Sequence, residues 1–199
     1  MLLAEKRIRL DRISAMQADN HVQLYDHPHL PNADYEAVNG SVFLAGPTSR
    51  ECIAEYNWRS EATYYLRKQG FKGVIYVPEP GKSGIARSGD FTEKEFIHRW
   101  ESDRLLSATY VVFWIPRNKH ELLGLNTNLE FGIWLGKLSH LPQKERVRKL
   151  FIGWPNTAER MGLPRHYAAD HPETGGYHIY GSLDNLCEAI HMTHTNHNT

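Results

Sequence analysis

At 199 residues, with 41% hydrophobic residues and five tryptophans, the chain carries enough apolar material for one ordinary domain and its core. Lysine plus arginine equals aspartate plus glutamate, 23 against 23, which leaves no basic excess for a phosphate backbone and argues against a nucleic-acid polymer as partner. The two cysteines, Cys52 and Cys187, stand in no metal or redox spacing, so a reducing compartment without a disulfide framework is expected.

In chain order, MLLAEKRIRLDRI is interrupted by charge within five residues and reads as neither a signal peptide nor a membrane span. A soluble, cytoplasmic protein is therefore expected. Residues 1–40 mix charges, three histidines (His21, His27, His29) and the turn-rich DHPHLPNAD, with no sustained period. They read as an N-terminal arm with a short strand near Lys6–Ile13. From residue 41 to 192 the pattern is that of one regular domain, and residues 193–199 read as a frayed tail.

SVFLAG is a buried strand closed by glycine and proline. AEYNWRSEATYYLRKQG has helical spacing, with Tyr56, Arg59, Thr63 and Leu66 recurring, and ends at Gly70. GVIYVPEP is a second strand, followed by the polar, glycine-rich GKSGIARSGD. FTEKEFIHRWESDRLLSA is helical, TYVVFWIP is a third strand, and GLNTNLEFGIW opens a helix running to about Leu138. VRKLFIGWP is a fourth strand. GYHIYGSLDNLCEAIHM gives a fifth short strand and a last helix with Ser182 as its N-cap. Strands alternating with amphipathic helices specify an α/β sandwich with a five-stranded, mainly parallel sheet flanked by helices. Ligands of such sheets bind at the carboxyl ends of the strands. The loops AGPTSR, PEPGKSG, IPRNKHELLGLNTNLE and GWPNTAER are thus the site candidates.

Glu130 admits two readings. Thr127 followed by Glu130 fits the capping box, which makes the glutamate a structural cap. The same first-turn position faces the positive end of the helix dipole, which holds a carboxylate ionised and oriented for attack on an anomeric carbon. The readings are compatible, and spacing does not separate them. A nucleophilic carboxylate needs an acid for the leaving group, and the candidates are Glu79, Glu101 and Asp103. Glu101 and Asp103 lie about 200° apart on a helix, so only one of them faces a common site.

Neither G-x-G-x-x-G nor G-x-x-x-x-G-K-[ST] occurs, which removes dinucleotide and P-loop sites. Gly46 and Pro47 shape a tight turn. Thr48, Ser49, Arg50 and Arg117 serve either as caps or as anion ligands. No metal site is expected from the twelve histidines, and the tail set His191, His194 and His197 reads as disordered.

Taken in order, VFLAGPTSR, WRSEA, YVPEP, WESDRLLSATYVVFWIPRN and LNTNLEFGIW resemble the nucleoside 2-deoxyribosyltransferase family over residues 41–190. The resemblance implies a flavodoxin-like, Rossmann-like sandwich. The activity it implies is cleavage of a 2-deoxyribonucleoside's N-glycosidic bond, with transfer of the sugar to another base. It assigns the nucleophile to Glu130 and proton transfer at the base to Glu101, where better-known members have aspartate. Phe43 falls where many members have a tyrosine lining the sugar pocket. Gly124 replaces the sugar-binding aspartate six residues before the nucleophile, leaving Asn126 or Asn128 for polar contacts. Phe43, Gly46, Pro47, Tyr76, Glu79, Asp103, Asn126 and Asn128 are the substrate-binding set expected beside Glu130 and Glu101.

The implied partners are a small nucleoside or nucleotide and a free nucleobase, with no cofactor, and a homo-oligomer is the family expectation. GKSGIARSGD and the arm are the segments expected to cover the site. A nucleoside monophosphate N-glycoside hydrolase is the alternative, with Arg50, Ser49 or Arg117 on the phosphate. A non-catalytic nucleotide-sensing module is the second, and Gly124 is its best argument.

Overall fold

The apolar runs become one six-stranded, all-parallel sheet. The computed structural model describes residues 2–24, 33–48, 57–79, 91–118, 120 and 122–196. Its strands are β1 (Val22–Gln23), β2 (Ser41–Ala45), β3 (Val74–Tyr76), β4 (Tyr110–Trp114), β5 (Leu150–Gly153) and β6 (Ile179–Tyr180), ordered β1-β3-β2-β4-β5-β6. Strands β2 to β5 are buried along their whole length, which explains why they read as continuous apolar runs. From β2 the chain steps outward to β3 and then returns to the other side of β2 as β4, pairing Val42 with Tyr110 and Ala45 with Phe113. Connections leave β2 and β4 in opposite directions, which makes the gap above them the switch point of the sheet.

Helices cover both faces: α1 (Leu2–Ala18), α2 (Ala33–Asn39), α3 (Trp58–Gln69), α4 (Phe91–Ser107), α5 (Leu125–Leu138), α6 (Gln143–Lys149), α7 (Gly162–Arg165) and α8 (Leu183–Thr195). A π-helical turn, His166–Asp170, extends α7. Alternate strand residues feed two cores. Val42, Leu44, Val112 and Trp114 meet Trp58, Ala62 and Leu66 of α3 and Leu186, Cys187 and Ile190 of α8. Phe43, Ala45, Val111 and Phe113 meet Phe131, Trp134 and Leu135 of α5. Gly70 closes α3 in the left-handed conformation, and the Ser182 hydroxyl caps α8 by accepting from the Asn185 N–H at 3.3 Å.

Four expectations are corrected. The segment 6–13 is helical, not a strand. Ile8 and Leu10 alternate with charges as in a strand, but both stay exposed, and unbranched helix formers dominate the run. Helix α1 is anchored on α3 by buried Met16 and by the Asp19–Arg67 ion pair at 2.7 Å. The sheet has a sixth strand, because Val22 and Gln23 pair with Ile75 and Tyr76 and extend its edge. Val147–Lys149 end helix α6 rather than begin a strand, and β5 starts at Leu150. His191 and His194 lie on helix α8, where Leu186 and Ile190 bury one face of the segment. His27, His29, Cys52, Tyr56, His197 and the 81–90 stretch lie outside the described residues. Among the described residues no helix is long and apolar enough to cross a membrane.

Candidate active site

Above the carboxyl end of β2, and bordered by the segments that follow β3 and β4, lies a cavity of about 680 Å³. Strand β2 supplies Phe43 and Ala45, and the loop after it supplies Gly46, Pro47 and Thr48. Glycine is required at 46, because a Cβ there would sit 2.2 Å from the Trp114 carbonyl oxygen and 2.7 Å from the Trp58 ring. Gly46→Ala is therefore expected to destabilise the fold by about 3 kcal/mol, read from the midpoint of urea unfolding. An unchanged midpoint would show that the β2 and β4 ends can part freely.

The opposite wall comes from two helices. Helix α4 presents His98, Glu101, Ser102 and Leu105, the i, i+3, i+4, i+7 face expected of one side of a helix. Glu101 keeps 26% of its side chain exposed, and His98 Nδ1 stands 3.8 Å from its Oε2. Helix α5 and the loop before it present Leu123, Gly124, Asn126, Thr127 and Glu130. Glu130 and Glu101 thus share one cavity with Phe43, Gly46 and Pro47.

The capping box does not form. Gly124 is the N-cap, left-handed at φ 62°, and no side chain caps the helix. Thr127 is buried at the third helical position, which places Glu130 in the second turn, beyond the reach of an N-cap amide. Nor does the helix dipole hold Glu130 ionised. Burial first, then the negative charge of Glu101, push its carboxyl up to about 7, and Arg59 opposes the shift. The proton-bound form is the one the fold favours, so its contribution to stability is full below the ordinary value of 4.5 and is lost as pH rises through 7. Glu130→Gln is accordingly expected to be more stable than wild type by about 2 kcal/mol at pH 8, after discounting for partial exposure, and equal to it near pH 4.5. Thermal unfolding at the two pH values checks this, and a constant difference would contradict it.

Other expected site residues stand off the cavity. Asp103 is exposed on the far side of α4. Tyr76 is fully buried, and its hydroxyl donates to Glu36 Oε2 at 2.7 Å, with burial raising its pKa. Glu79 is buried behind the cavity wall, paired with Arg59. The Asn128 carbonyl accepts from Arg117, whose other amino group donates to the Arg160 carbonyl at 3.4 Å. Arg117 thereby bridges α5 to the 153–160 loop and does not line the cavity. Ser49 and Arg50 lie outside the described residues.

The family model for nucleoside 2-deoxyribosyltransferase-like proteins matches residues 39–141, just over half of the chain and a span that holds every cavity residue named above. The chain belongs to this family. No curated protein matches the sequence. Membership places the chain among proteins that handle nucleosides and nucleobases. For this nucleoside 2-deoxyribosyltransferase-like chain, the structure gives Gly124 a reason of its own. A Cβ at this position would close to 3.2 Å on the Pro47 Cβ, from a backbone conformation that side chains rarely adopt. The loop and helix walls touch here, and an aspartate at 124 would strain the contact. Asn126, two residues on, is the asparagine that reaches the cavity.

Sequence reading passed over Arg59. It recurs with Thr63 and Leu66 at helical spacing and reads as one residue of a packing stripe. An arginine inside such a stripe is itself a signal, because a buried guanidinium must have partners.

Proposed function

We propose that this chain cleaves the N-glycosidic bond of a nucleoside and carries the sugar as a glycosyl ester on Glu130 before passing it to a second base. The observation that carries this reading is the placement of two carboxyl groups, Glu130 and Glu101, on one cavity at the sheet's switch point. The sugar lies against Phe43, Gly46 and Pro47. With the proton that the two carboxyls share resting on Glu101, the Glu130 carboxylate attacks C1′ as the bond to the base loosens, Glu101 donates that proton to the departing nitrogen, and a C1′–O bond to Glu130 replaces the C1′–N bond. The second base reverses these steps: its nitrogen attacks C1′, its proton passes to Glu101, and Glu130 is released. Water in place of that base gives free sugar, so transfer depends on keeping the ester shielded. Asn126 is the polar group proposed to meet the sugar. The chain's own residues supply every group in this scheme.

Intact-protein mass spectrometry after incubation with a panel of deoxyribonucleosides, with free base assayed alongside, tests the reading. The expected result is a single sugar-sized adduct that a second base discharges. Base release with neither adduct nor exchange would replace transfer by hydrolysis. Neither adduct nor base from any nucleoside or nucleoside monophosphate would leave a binding module.

A further inference from the structure

Beyond Ala45 the cavity wall leaves the sheet, yet one side chain holds it in place. Arg59, the second residue of α3, is 1% exposed. Its Nε donates to the Leu44 carbonyl at 3.0 Å, and one amino group donates to the Gly46 carbonyl at 2.6 Å. The other amino group donates to Thr48 Oγ1 at 2.9 Å and to Glu79 Oε1 at 2.8 Å. The second Glu79 oxygen accepts from Asn57 Nδ2 at 2.9 Å. The neighbouring Trp58 adds to the same clamp, with its Nε1 donating to the Pro47 carbonyl at 3.0 Å and its ring under the guanidinium at 4.6 Å. Alternate positions of this segment, 44, 46 and 48, are therefore set by one planar fork. A lysine, a point charge on a flexible stem, does not reproduce that pattern.

Stability alone is a poor reason for such a pair, since well-packed apolar residues commonly serve as well or better than a buried ion pair. Arg59 also borders the cavity that holds Glu130. We propose that Arg59 is a positioning residue for Glu130 chemistry: it fixes the 44–48 wall against which the sugar is held, and Glu79 behind it balances its charge. The proposal rests on the glycosyl-transfer reading above. The balance matters because the sugar carbon becomes cationic as the bond to the base breaks, and an unmatched guanidinium would oppose that charge. The charged and titratable groups described on the cavity with Glu130 are Glu101 and His98 of α4, Arg59 of α3 and His120 of the loop before α5. Arg59 lowers the affinity of Glu130 for its proton, against burial and Glu101.

Two variants of the full chain test this, each first checked for native circular dichroism. Arg59→Lys keeps a charge but loses the fork, and its kcat for base release is expected to fall about 10- to 100-fold. Glu79→Gln keeps the fork but removes the balancing charge. Its Glu130 carboxyl, followed by ¹³C NMR and assigned with Glu130→Gln, is expected to titrate about one pH unit lower than in wild type, with a reduced kcat at the pH optimum. A folded Arg59→Lys with wild-type kcat overturns the proposal. So does an unmoved Glu130 midpoint in Glu79→Gln, which decides alone if Arg59→Lys does not fold. A wild type that releases no base refutes the transfer reading instead, and the NMR midpoint still reports on Arg59 and Glu79.

Discussion

Glu130→Ala is expected to lower base release by on the order of 10⁴-fold or more and to abolish the sugar adduct. Loss on this scale follows when the group that forms the covalent bond is removed, because no positioned neighbour takes over its electron pair. Among the described residues the cavity holds one other carboxylate, Glu101, which comes from the neighbouring helix α4. Wild-type turnover carries a second mark of the same residue. Attack requires an ionised Glu130 while Glu101 keeps the proton it donates, and burial together with Glu101 raises the Glu130 carboxyl to about 7, so release should climb as pH rises toward neutrality and fall once both carboxyls are ionised. Rapid-quench measurement of free base across pH 5–9 (roughly the span over which such a carboxyl titrates), in wild type and variant, reads both effects. Retention of a tenth of the wild-type rate in Glu130→Ala would remove the nucleophile assignment.

Glu101→Gln is expected to cost about 10²- to 10⁴-fold, and the loss should depend on the leaving group. A neutral purine or pyrimidine departs with a proton on its ring nitrogen, and the amide of glutamine cannot deliver one. A base already methylated to a cation leaves without that proton, so its release should fall less than about 10-fold. The ratio between the two substrates isolates proton donation from mere damage to the cavity. Equal losses on both would assign Glu101 to binding. The same variant removes a negative charge that raises Glu130, and the pH at which wild-type release climbs should move downward.

The sheet is legible in the sequence where each strand is buried on both faces. SVFLA, VIY, YVVFW and LFIG are unbroken apolar runs, and each is a fully buried strand. The strand Val22–Gln23 is not legible. Two residues carry no period, and their place at the sheet edge is decided by pairing with Ile75 and Tyr76. Phe43, Gly46, Pro47, Glu101, Asn126 and Glu130, expected at the site from the strand-end loops and the family resemblance, all line one cavity. The start of α5 misled, because Thr127 matches a capping box while Gly124, two residues after Leu122 enters the core, already turns the chain into the helix. Asn128 and Arg117 looked like ligands because both are polar and follow strand β4. Arg117 instead donates to the Asn128 carbonyl, a contact that only the folded chain brings about. Tyr76 and Glu79 were drawn off in the same way, by Glu36 and Arg59.

The Gly46 contact has a bearing on how the molecule moves. With Trp114 and Trp58 pressed against that residue and Arg59 tied to carbonyls on either side of Ala45, the floor of the cavity has no freedom to breathe. Under the proposed transfer, exchange of one base for another needs a passage. It is expected in the other wall, where His98 and Ser102 of α4, Leu123 and the first residue of α5, Leu125, are exposed. The molecule is built like a vice with one fixed jaw. Residues on the moving jaw should govern how quickly bases come and go, while those on the fixed one govern whether the sugar meets Glu130 at the right angle.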